Sequence, residues 1–184
     1  MGSEMCIRDR LEAMQERSVT AAGQHFKLPK PFFVLATQNP IEQEGTYALP
    51  EAQLDRFMFN IKVDYPSYEE EVAIVKATTK DLEAQVDQVL NEDEIVAIQD
   101  LVRRIPVNDN VVEYAVKLSM ATRPGITGAS DFVNNFVSWG AGPRSSQFLI
   151  LGAKVHAALK GKYSPDIEDV QAVANAVLRH RIVR

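Results

Sequence analysis

Three polar side chains in this chain of 184 residues are of types that could bind or position a phosphate group. The first is Asn39, which follows the apolar run FFVLAT and so stands at the carboxyl end of an expected strand. Ligands of open α/β sheets bind at that edge. A neutral amide there can donate one hydrogen bond and accept another, which is enough to orient a water molecule against a phosphate. The alternative is that Asn39-Pro40 only begins a turn.

The second candidate is Arg56, in the segment LDRF. A guanidinium group keeps its charge at any physiological pH and can bind two phosphate oxygens at once. The alternative is a surface ion pair with Glu51 or Asp55, which would contribute less than about 1 kcal/mol. The role of Asp55 stays open between orienting a neighbouring chain and capping a helix.

The third candidate is Arg144, in the segment GAGPRSSQ at the start of an expected helix. The helix dipole is positive at that end, so a lone cation is unfavourable there. We therefore expect an anionic partner for Arg144, and a phosphate would serve. The alternative is an arginine after Pro143 that faces solvent.

The elements that position the first two candidates belong to a region of mixed pattern, from Leu11 to Tyr65. LEAMQER is typical of the last turns of a helix. SVTAAGQHFKL predicts two short strands joined by a turn at Gly23. FFVLAT predicts a strand covered on both faces, and the alternating FNIKV predicts a second strand with one face exposed.

After Ser67 the pattern becomes helical, and five amphipathic helices are predicted. Asn91 and Glu94 indicate a capping box at the start of the second helix. The fourth helix is predicted from near Ser145 to Gly161, and the fifth begins with Ser164 as cap and Pro165 at its first position. The stripes expected to form the core are Ile95, Ile98, Leu101, Val102 and Ile105; Val111, Tyr114, Ala115 and Leu118; and Ile167, Val170, Val173, Ala174 and Val177. The basic end RHRIVR is read as solvated or as complementing a helix dipole.

Composition excludes several classes of protein. The net charge of −5 argues against non-specific binding of nucleic acid. A single cysteine cannot form an internal disulfide, and the longest apolar runs are too short for a membrane span, so we expect a cytoplasmic protein. The three histidines lack the spacing of metal ligands, and no protein-bound metal site is predicted.

Three blocks, LEAMQER, FFVLATQNPIEQEGTYALPEAQLDRF and GAGPRSSQ, together resemble MoxR-type ATPases of the AAA+ superfamily. The resemblance runs from Leu11 to the end of the chain. It implies an ATP-driven, chaperone-like remodelling machine that works as a ring, usually a hexamer, on client proteins that include von Willebrand A-type partners. It also implies an α/β remnant of a P-loop AAA+ core at residues 11–66 and an all-α helical lid, truncated at its end, at residues 67–184.

The resemblance assigns a role to each candidate. Asn39 corresponds to the sensor-1 residue, and Arg56 corresponds to an arginine finger that reaches the nucleotide of the neighbouring subunit. Arg144 corresponds to the sensor-2 arginine of the lid. ATP and Mg²⁺ are the implied cofactors. Trp139 is expected to anchor the lid core or, as the alternative, to contact adenine.

The departures from the family pattern are as informative as the matches. No glycine begins the P-loop pattern G-x-x-x-x-G-K-[ST], and no strand ends in an Asp-Glu pair that could hold Mg²⁺. In the family these elements precede LEAMQER, so we expect a fragment that is inactive alone, with residues 1–10 foreign to it. The competing hypothesis is a non-catalytic helical module that binds partners without nucleotide. A clamp-loader-like role on DNA is disfavoured by the acidic balance.

Overall fold

A computed structural model describes residues 13–14, 16–21, 23–38, 51–80 and 86–184. Within these ranges a two-stranded sheet precedes a set of helices. No helix in the described ranges has the length and apolar character needed to cross a membrane. The elements are β1 (Ser18–Ala21), β2 (Gln24–Lys27), α1 (Glu51–Leu54), α2 (Tyr68–Thr78), α3 (Glu92–Arg104), α4 (Asp109–Met120), α5 (Asp131–Phe136), α6 (Pro143–Leu159) and α7 (Ile167–Leu178).

The predicted hairpin is confirmed. β1 and β2 are antiparallel, with Ser18 opposite Lys27 and Ala21 opposite Gln24. Gly23 in the turn has φ of 76°, a left-handed conformation that glycine adopts without the steric cost of a Cβ atom.

The two further strands predicted at residues 32–37 and 59–63 are wrong for the described structure. Both segments lack strand pairing, and the side chains of Leu35 and Val63 are 87% and 91% exposed. A strand exists only through hydrogen bonds to a neighbouring strand. Among the described residues, β1 and β2 pair only with each other, so these apolar segments have no strand to pair with.

The hydrophobic core lies between α4, α6 and α7. The predicted stripes of α4 and α7 are confirmed at their centres, and α6 contributes small residues that allow close packing. On α3 the predicted stripe is wrong for Ile98 and Leu101, which are exposed. The buried apolar residues of this core are Val111, Ala115, Ala141, Leu149, Ala153, Val170, Val177 and Leu178.

Three predicted helix ends agree with the structure, to within two residues. In the capping box of α3, Asn91 Oδ1 accepts from the backbone N–H of Glu94 at 2.9 Å, and Glu94 Oε2 accepts from that of Asn91 at 2.8 Å. α6 starts at Pro143, close to the predicted Ser145. It is followed by Gly161 with φ of 73°, which suits a helix end.

The predicted start of the fifth helix is wrong by two residues. α7 begins at Ile167, and Asp166 caps it by accepting from the backbone N–H of Glu168 at 3.1 Å. Asp is as favourable at this position as Ser. The predicted cap, Ser164, instead donates its hydroxyl hydrogen to the carbonyl of Pro106 at 3.1 Å, which ties the loop before α7 to the loop after α3.

Candidate functional site

The segment that carries Arg144 is anchored on the C-terminal end of α4. A Cβ atom at Gly140 would lie 2.4 Å from the carbonyl oxygen of Thr122, so only glycine fits this approach. The next residue, Ala141, is buried and bonded through both backbone groups: its N–H donates to Thr122 Oγ1 at 2.8 Å, and its carbonyl accepts from Arg123 Nε at 2.8 Å. The backbone two residues before α6 is therefore fixed in place.

A buried hydrogen bond also connects the first turn of α6 to α4. Ser145 is fully buried, and its hydroxyl lies 2.9 Å from that of Ser119, also fully buried, on α4. Gly142 is the N-cap and makes no side-chain hydrogen bond to the helix. Arg144 therefore projects from a fixed helix start whose first N–H groups receive no capping side chain from the described residues.

Arg144 has an anionic partner within the chain. Its Nη1 atom forms an ion pair with Oδ2 of Asp55, and its side chain is 44% exposed. The sequence predicted an anionic partner for a cation at this helix end, and the described structure supplies a carboxylate there. The side chain is therefore both exposed to solvent, as the alternative had it, and paired with a carboxylate.

The second carboxylate oxygen of Asp55 binds another arginine. Arg181 Nε donates to Asp55 Oδ1 at 2.8 Å, and the Arg181 side chain is only 1% exposed. The remaining guanidinium nitrogens donate to backbone carbonyls: Asp55 at 2.8 Å, Phe57 at 2.6 Å, Met58 at 3.5 Å, and Val177. Burial lowers the pKa of Arg181 and Asp55 partly offsets this, but an arginine remains charged at neutral pH.

Two further contacts position Arg181: the backbone pairing of nearby Val183 with Trp139, and the ring of Phe148. Val183 pairs with Trp139, its N–H donating to the Trp139 carbonyl at 2.9 Å. The guanidinium carbon of Arg181 lies 5.2 Å from the centre of the Phe148 ring, within the range of a cation–π interaction. The reading of this basic end as solvated is thus wrong for Arg181, which is buried. The other reading, that it complements a helix dipole, agrees with its donation to the Val177 carbonyl in the last turn of α7. Its contacts with residues 55–58 were not evident from local sequence.

His180 completes the contact between the chain end and the LDRF segment. Its Nε2 atom lies 3.0 Å from the carbonyl of Phe57, which can only accept, so Nε2 is the protonated nitrogen. Burial lowers the pKa of His180, with the charge of Arg181 acting in the same direction, which favours the neutral ring at neutral pH. Its Nδ1 atom is buried without a hydrogen-bond partner in the described part of the chain.

Arg56 lies in the turn that ends α1, between two residues held by Arg181. The backbone N–H of Arg56 donates to the carbonyl of Gln53 at 3.2 Å, and the side chain is half-buried. On either side, Asp55 and Phe57 are the residues that accept from Arg181. Arg181, just after α7, therefore binds the residues on both sides of Arg56.

The remaining predicted site residues are not brought into this cluster. Asn39 lies outside the described residues. Trp139 is exposed, so its predicted role as a core anchor is wrong. The described ranges contain no group of three or more His, Cys, Asp or Glu that could hold a metal ion. The cationic Arg144 fits a phosphate, whereas these ranges offer no fitting carboxylate cluster for Mg²⁺.

Sequence reasoning missed four residues of this arrangement: Gly140, Thr122, Asp55 as a shared partner, and Arg181. Gly140 belongs to the GAGPR motif, but the backbone that approaches it is that of Thr122, just after α4. The sequence around Gly140 does not indicate this contact. For Arg181, the signal available was its cluster of basic neighbours, which is equally typical of a solvated helix end.

Comparison with known proteins defines the class first. A model described as "ATPase family associated with various cellular activities (AAA)" matches residues 7–59, and a model of the AAA lid domain matches residues 131–184. Together with the fold, these matches define an AAA+ ATPase chain in which an α/β core segment precedes an all-α lid, as expected from the sequence.

The relatives then narrow the class. Chaperone MoxR1 of Mycobacterium tuberculosis is 43% identical over 174 residues, which is 94% of this chain and 46% of that protein. Protein MoxR of Methylorubrum extorquens is 31% identical over 186 residues, 94% of this chain and 53% of that protein. The crystal structure of a candidate ATPase from Cytophaga hutchinsonii has a TM-score of 0.86 at 35% identity, covering 95% of this chain and 53% of that one.

The chain belongs to the MoxR-type AAA+ ATPases. It spans about half the length of the curated relatives it matches.

Proposed function

We propose that this chain supplies the sensor and lid part of an ATP-hydrolysing ring that carries out chaperone-like remodelling of client proteins. The observation that carries the proposal is the placement of Arg144: it projects from the anchored first turn of α6 and is joined through Asp55 to the turn that bears Arg56. One relative is named a chaperone, which supports the remodelling part of the proposal.

Two arginines have separate roles in this proposal. Arg144, as sensor 2, binds the terminal phosphate of the nucleotide held by its own subunit and closes the lid on it. Arg56, as arginine finger, completes the site of the neighbouring subunit and stabilises the charge that spreads over the transferred phosphoryl group. Asn39, as sensor 1, orients the attacking water. Mg²⁺-bound ATP supplies the phosphoryl group that is transferred.

We propose that the assembly is a ring, and that the ring is a hexamer. An arginine that acts on a neighbouring site requires head-to-tail contacts between subunits, and such contacts form a ring when their rotation closes. Client proteins with von Willebrand A-type domains are the proposed partners, on the resemblance of the sequence blocks alone. For the 184-residue chain by itself we propose no ATP hydrolysis, because the sequence contains no P-loop pattern to cradle the phosphates.

The test is phosphate release by the protein expressed from its complete reading frame, with and without ATP-site substitutions. We expect Arg56→Gln to lower kcat by about 10³-fold or more, as for arginine fingers generally, with little change in ATP affinity. Arg144→Gln is expected to lower kcat and weaken ATP binding.

The matched control is Arg104→Gln, which removes an exposed arginine from the last turn of α3 and should leave kcat unchanged. Absence of ATP hydrolysis by the wild-type protein would favour the non-catalytic interaction module instead. Hydrolysis at the wild-type rate in both site variants would refute the assigned roles.

A further inference from the structure

The carboxylate of Asp55 is shared by two arginines that differ sharply in burial. Arg181, at 1% exposure, binds Oδ1 and four backbone carbonyls. Arg144, at 44% exposure, is bound to Oδ2. Asp55 thus makes one contact that is shielded from water and one that is open to it.

These two contacts differ in how easily they can be exchanged. An exposed ion pair contributes under about 1 kcal/mol, because water and salt compete with it. Removing one partner of a buried pair is far more costly, since it leaves an uncompensated charge in the interior. Arg144 is therefore the arginine that can leave Asp55, whereas Arg181 stays.

The position occupied by the Asp55 carboxylate is also one that suits a phosphate. It lies at the guanidinium of an arginine in the first turn of the 17-residue helix α6, the positive end of the helix dipole. Within the described part of the chain, no side chain caps the N-terminus of α6. The Asp55 carboxylate shows that the Arg144 guanidinium binds an oxyanion from within the chain.

We propose that Asp55 is a positioning residue that exchanges Arg144 with bound phosphate. Without phosphate, Asp55 holds Arg144 at the LDRF turn; when a phosphate binds Arg144, Asp55 keeps only Arg181. The net charge around Asp55, next to Arg56, then changes when the lid binds phosphate. This change links Arg144, which acts in its own subunit, to Arg56, which acts on the neighbouring subunit. The inference rests on the proposed function for the source of the phosphate, but the exchange itself is a property of this chain.

The exchange can be tested on the 184-residue chain with inorganic tripolyphosphate as the probe. NMR would follow the side-chain Nε signals of Arg144 and Arg181 and the carboxyl carbon of Asp55 at pH 7 and low salt. We expect the Arg144 and Asp55 signals to shift with the same saturation curve while the Arg181 signal stays. A shift of Arg144 without Asp55, or no shift of Arg144 throughout the titration, would overturn the proposal.

Substitution of Asp55 gives a second readout. Asp55→Asn keeps an acceptor oxygen for Arg181 but removes the competing charge, so Arg144 should bind tripolyphosphate about three-fold more tightly. The control, Asp64→Asn, removes the same charge from an exposed loop residue and should change the affinity less. A merely structural role for Asp55 predicts unchanged or weaker binding in Asp55→Asn, and that result would overturn the proposal.

If Asp55→Asn does not fold, the wild-type titration still decides the question. Because the titration involves no hydrolysis, its outcome is separate from that of the ATPase assay. An inactive protein whose Arg144 and Asp55 signals shift together would refute the proposed function and leave the exchange standing. An active protein without the joint shift would refute the exchange and leave the proposed function standing.

Discussion

At the scale of single residues, the lid is connected to the LDRF turn mainly by Arg181. Its guanidinium group reaches from the end of α7 to the carboxylate of Asp55 and the carbonyls of Asp55, Phe57 and Met58. Each of these carbonyls would lose a charged donor if Arg181 were shortened. The buried arginine is therefore a structural requirement for the site as well as a partner of Asp55.

Replacing Arg181 should accordingly destabilise the chain strongly. We expect Arg181→Met to lower the free energy of unfolding by about 3 to 5 kcal/mol, because it breaks a buried ion pair and leaves its acceptors unsatisfied. Urea denaturation would measure this loss. The neighbouring Arg179→Met removes an exposed arginine and should change stability by no more than about 0.5 kcal/mol. Equal effects of the two substitutions would show that the contacts of Arg181 contribute little.

At the scale of elements, the start of α6 depends on a backbone contact that only glycine permits. The Cα atom of Gly140 faces the carbonyl of Thr122 so closely that a methyl group has no room. Gly142, two residues later, has nothing within 4 Å of the position its Cβ would take. Gly140 is therefore required by the space available, whereas Gly142 is not.

This difference predicts opposite results for two alanine substitutions. Gly140→Ala should force the loop away from α4 and lower stability by at least about 2 kcal/mol, through strain and loss of the buried contacts of Ala141. Gly142→Ala should cost at most about 1 kcal/mol, the usual effect of a poorer N-cap. Thermal unfolding of both variants would measure the difference. A Gly140→Ala protein as stable as the wild type would contradict the described approach.

The start of α7 depends on a buried carboxylate. Asp169 is fully buried, and desolvation alone would raise its pKa. Hydrogen bonds from the backbone of Asp166, from His156 Nδ1 at 2.7 Å and from Lys162 Nζ at 3.0 Å outweigh that effect. Together they lower the pKa of Asp169 from 3.8 to about 2.

Because the folded pKa of Asp169 lies below the unfolded one, its contribution is present above about pH 4 and is lost as pH falls toward 2. The shift corresponds to about 2 kcal/mol. We expect Asp169→Asn to lose that amount at pH 7 and to show a shallower acid dependence of the unfolding free energy. Glu168→Gln, an exposed acid in the same first turn, is the control. Parallel stability profiles of Asp169→Asn and the wild type would contradict this account.

How much the sequence could predict also differs between elements. The Asn91 and Glu94 capping box and the stripes of α4 and α7 depend on residues three or four positions apart, so local pattern was sufficient. The strand prediction at residues 32–37 failed because strand pairing depends on a partner that local pattern does not specify. For the same reason the sequence indicated an anion near Arg144 but could not identify Asp55, 89 positions away.

At the scale of the whole molecule, the described residues divide into a packed bundle and apolar segments that remain uncovered. Leu149 and Val170 are fully buried in the bundle, whereas Phe33, Leu35 and Ile61 are mostly exposed. Exposed apolar segments without strand partners are templates for association with other chains. The bundle is therefore expected to be the stable unit of this chain.

Hydrogen exchange would show this division directly. We expect the amides of Val34 and Leu35 to exchange quickly, because they lack hydrogen-bond partners among the described residues, and those of Leu149 and Ala153 to exchange only through unfolding of the bundle. Mass spectrometry of peptides covering both regions would give the protection factors. Equal protection at residues 33–36 and 149–153 would contradict the division.

The central claim is that Arg144 and Arg56 complete a nucleotide site from two different subunits, Arg144 from one and Arg56 from its neighbour. The most direct test mixes Arg56→Ala subunits with Arg144→Ala subunits of the protein from the complete reading frame and measures ATP hydrolysis. Each variant alone lacks one arginine at every site, so each should be nearly inactive. In a mixed ring, an Arg56→Ala subunit offers an intact Arg144 and its neighbour offers an intact Arg56.

The account predicts recovery to about a quarter of the wild-type rate at equal proportions, the share of interfaces at which both arginines meet in a randomly mixed ring. The control mixture pairs Arg56→Ala subunits with subunits that carry both substitutions, and it should stay inactive because no subunit supplies Arg56. Failure of the first mixture to recover activity, with mixed rings shown to form, would contradict the account, because it would mean that a single subunit supplies both arginines of each site.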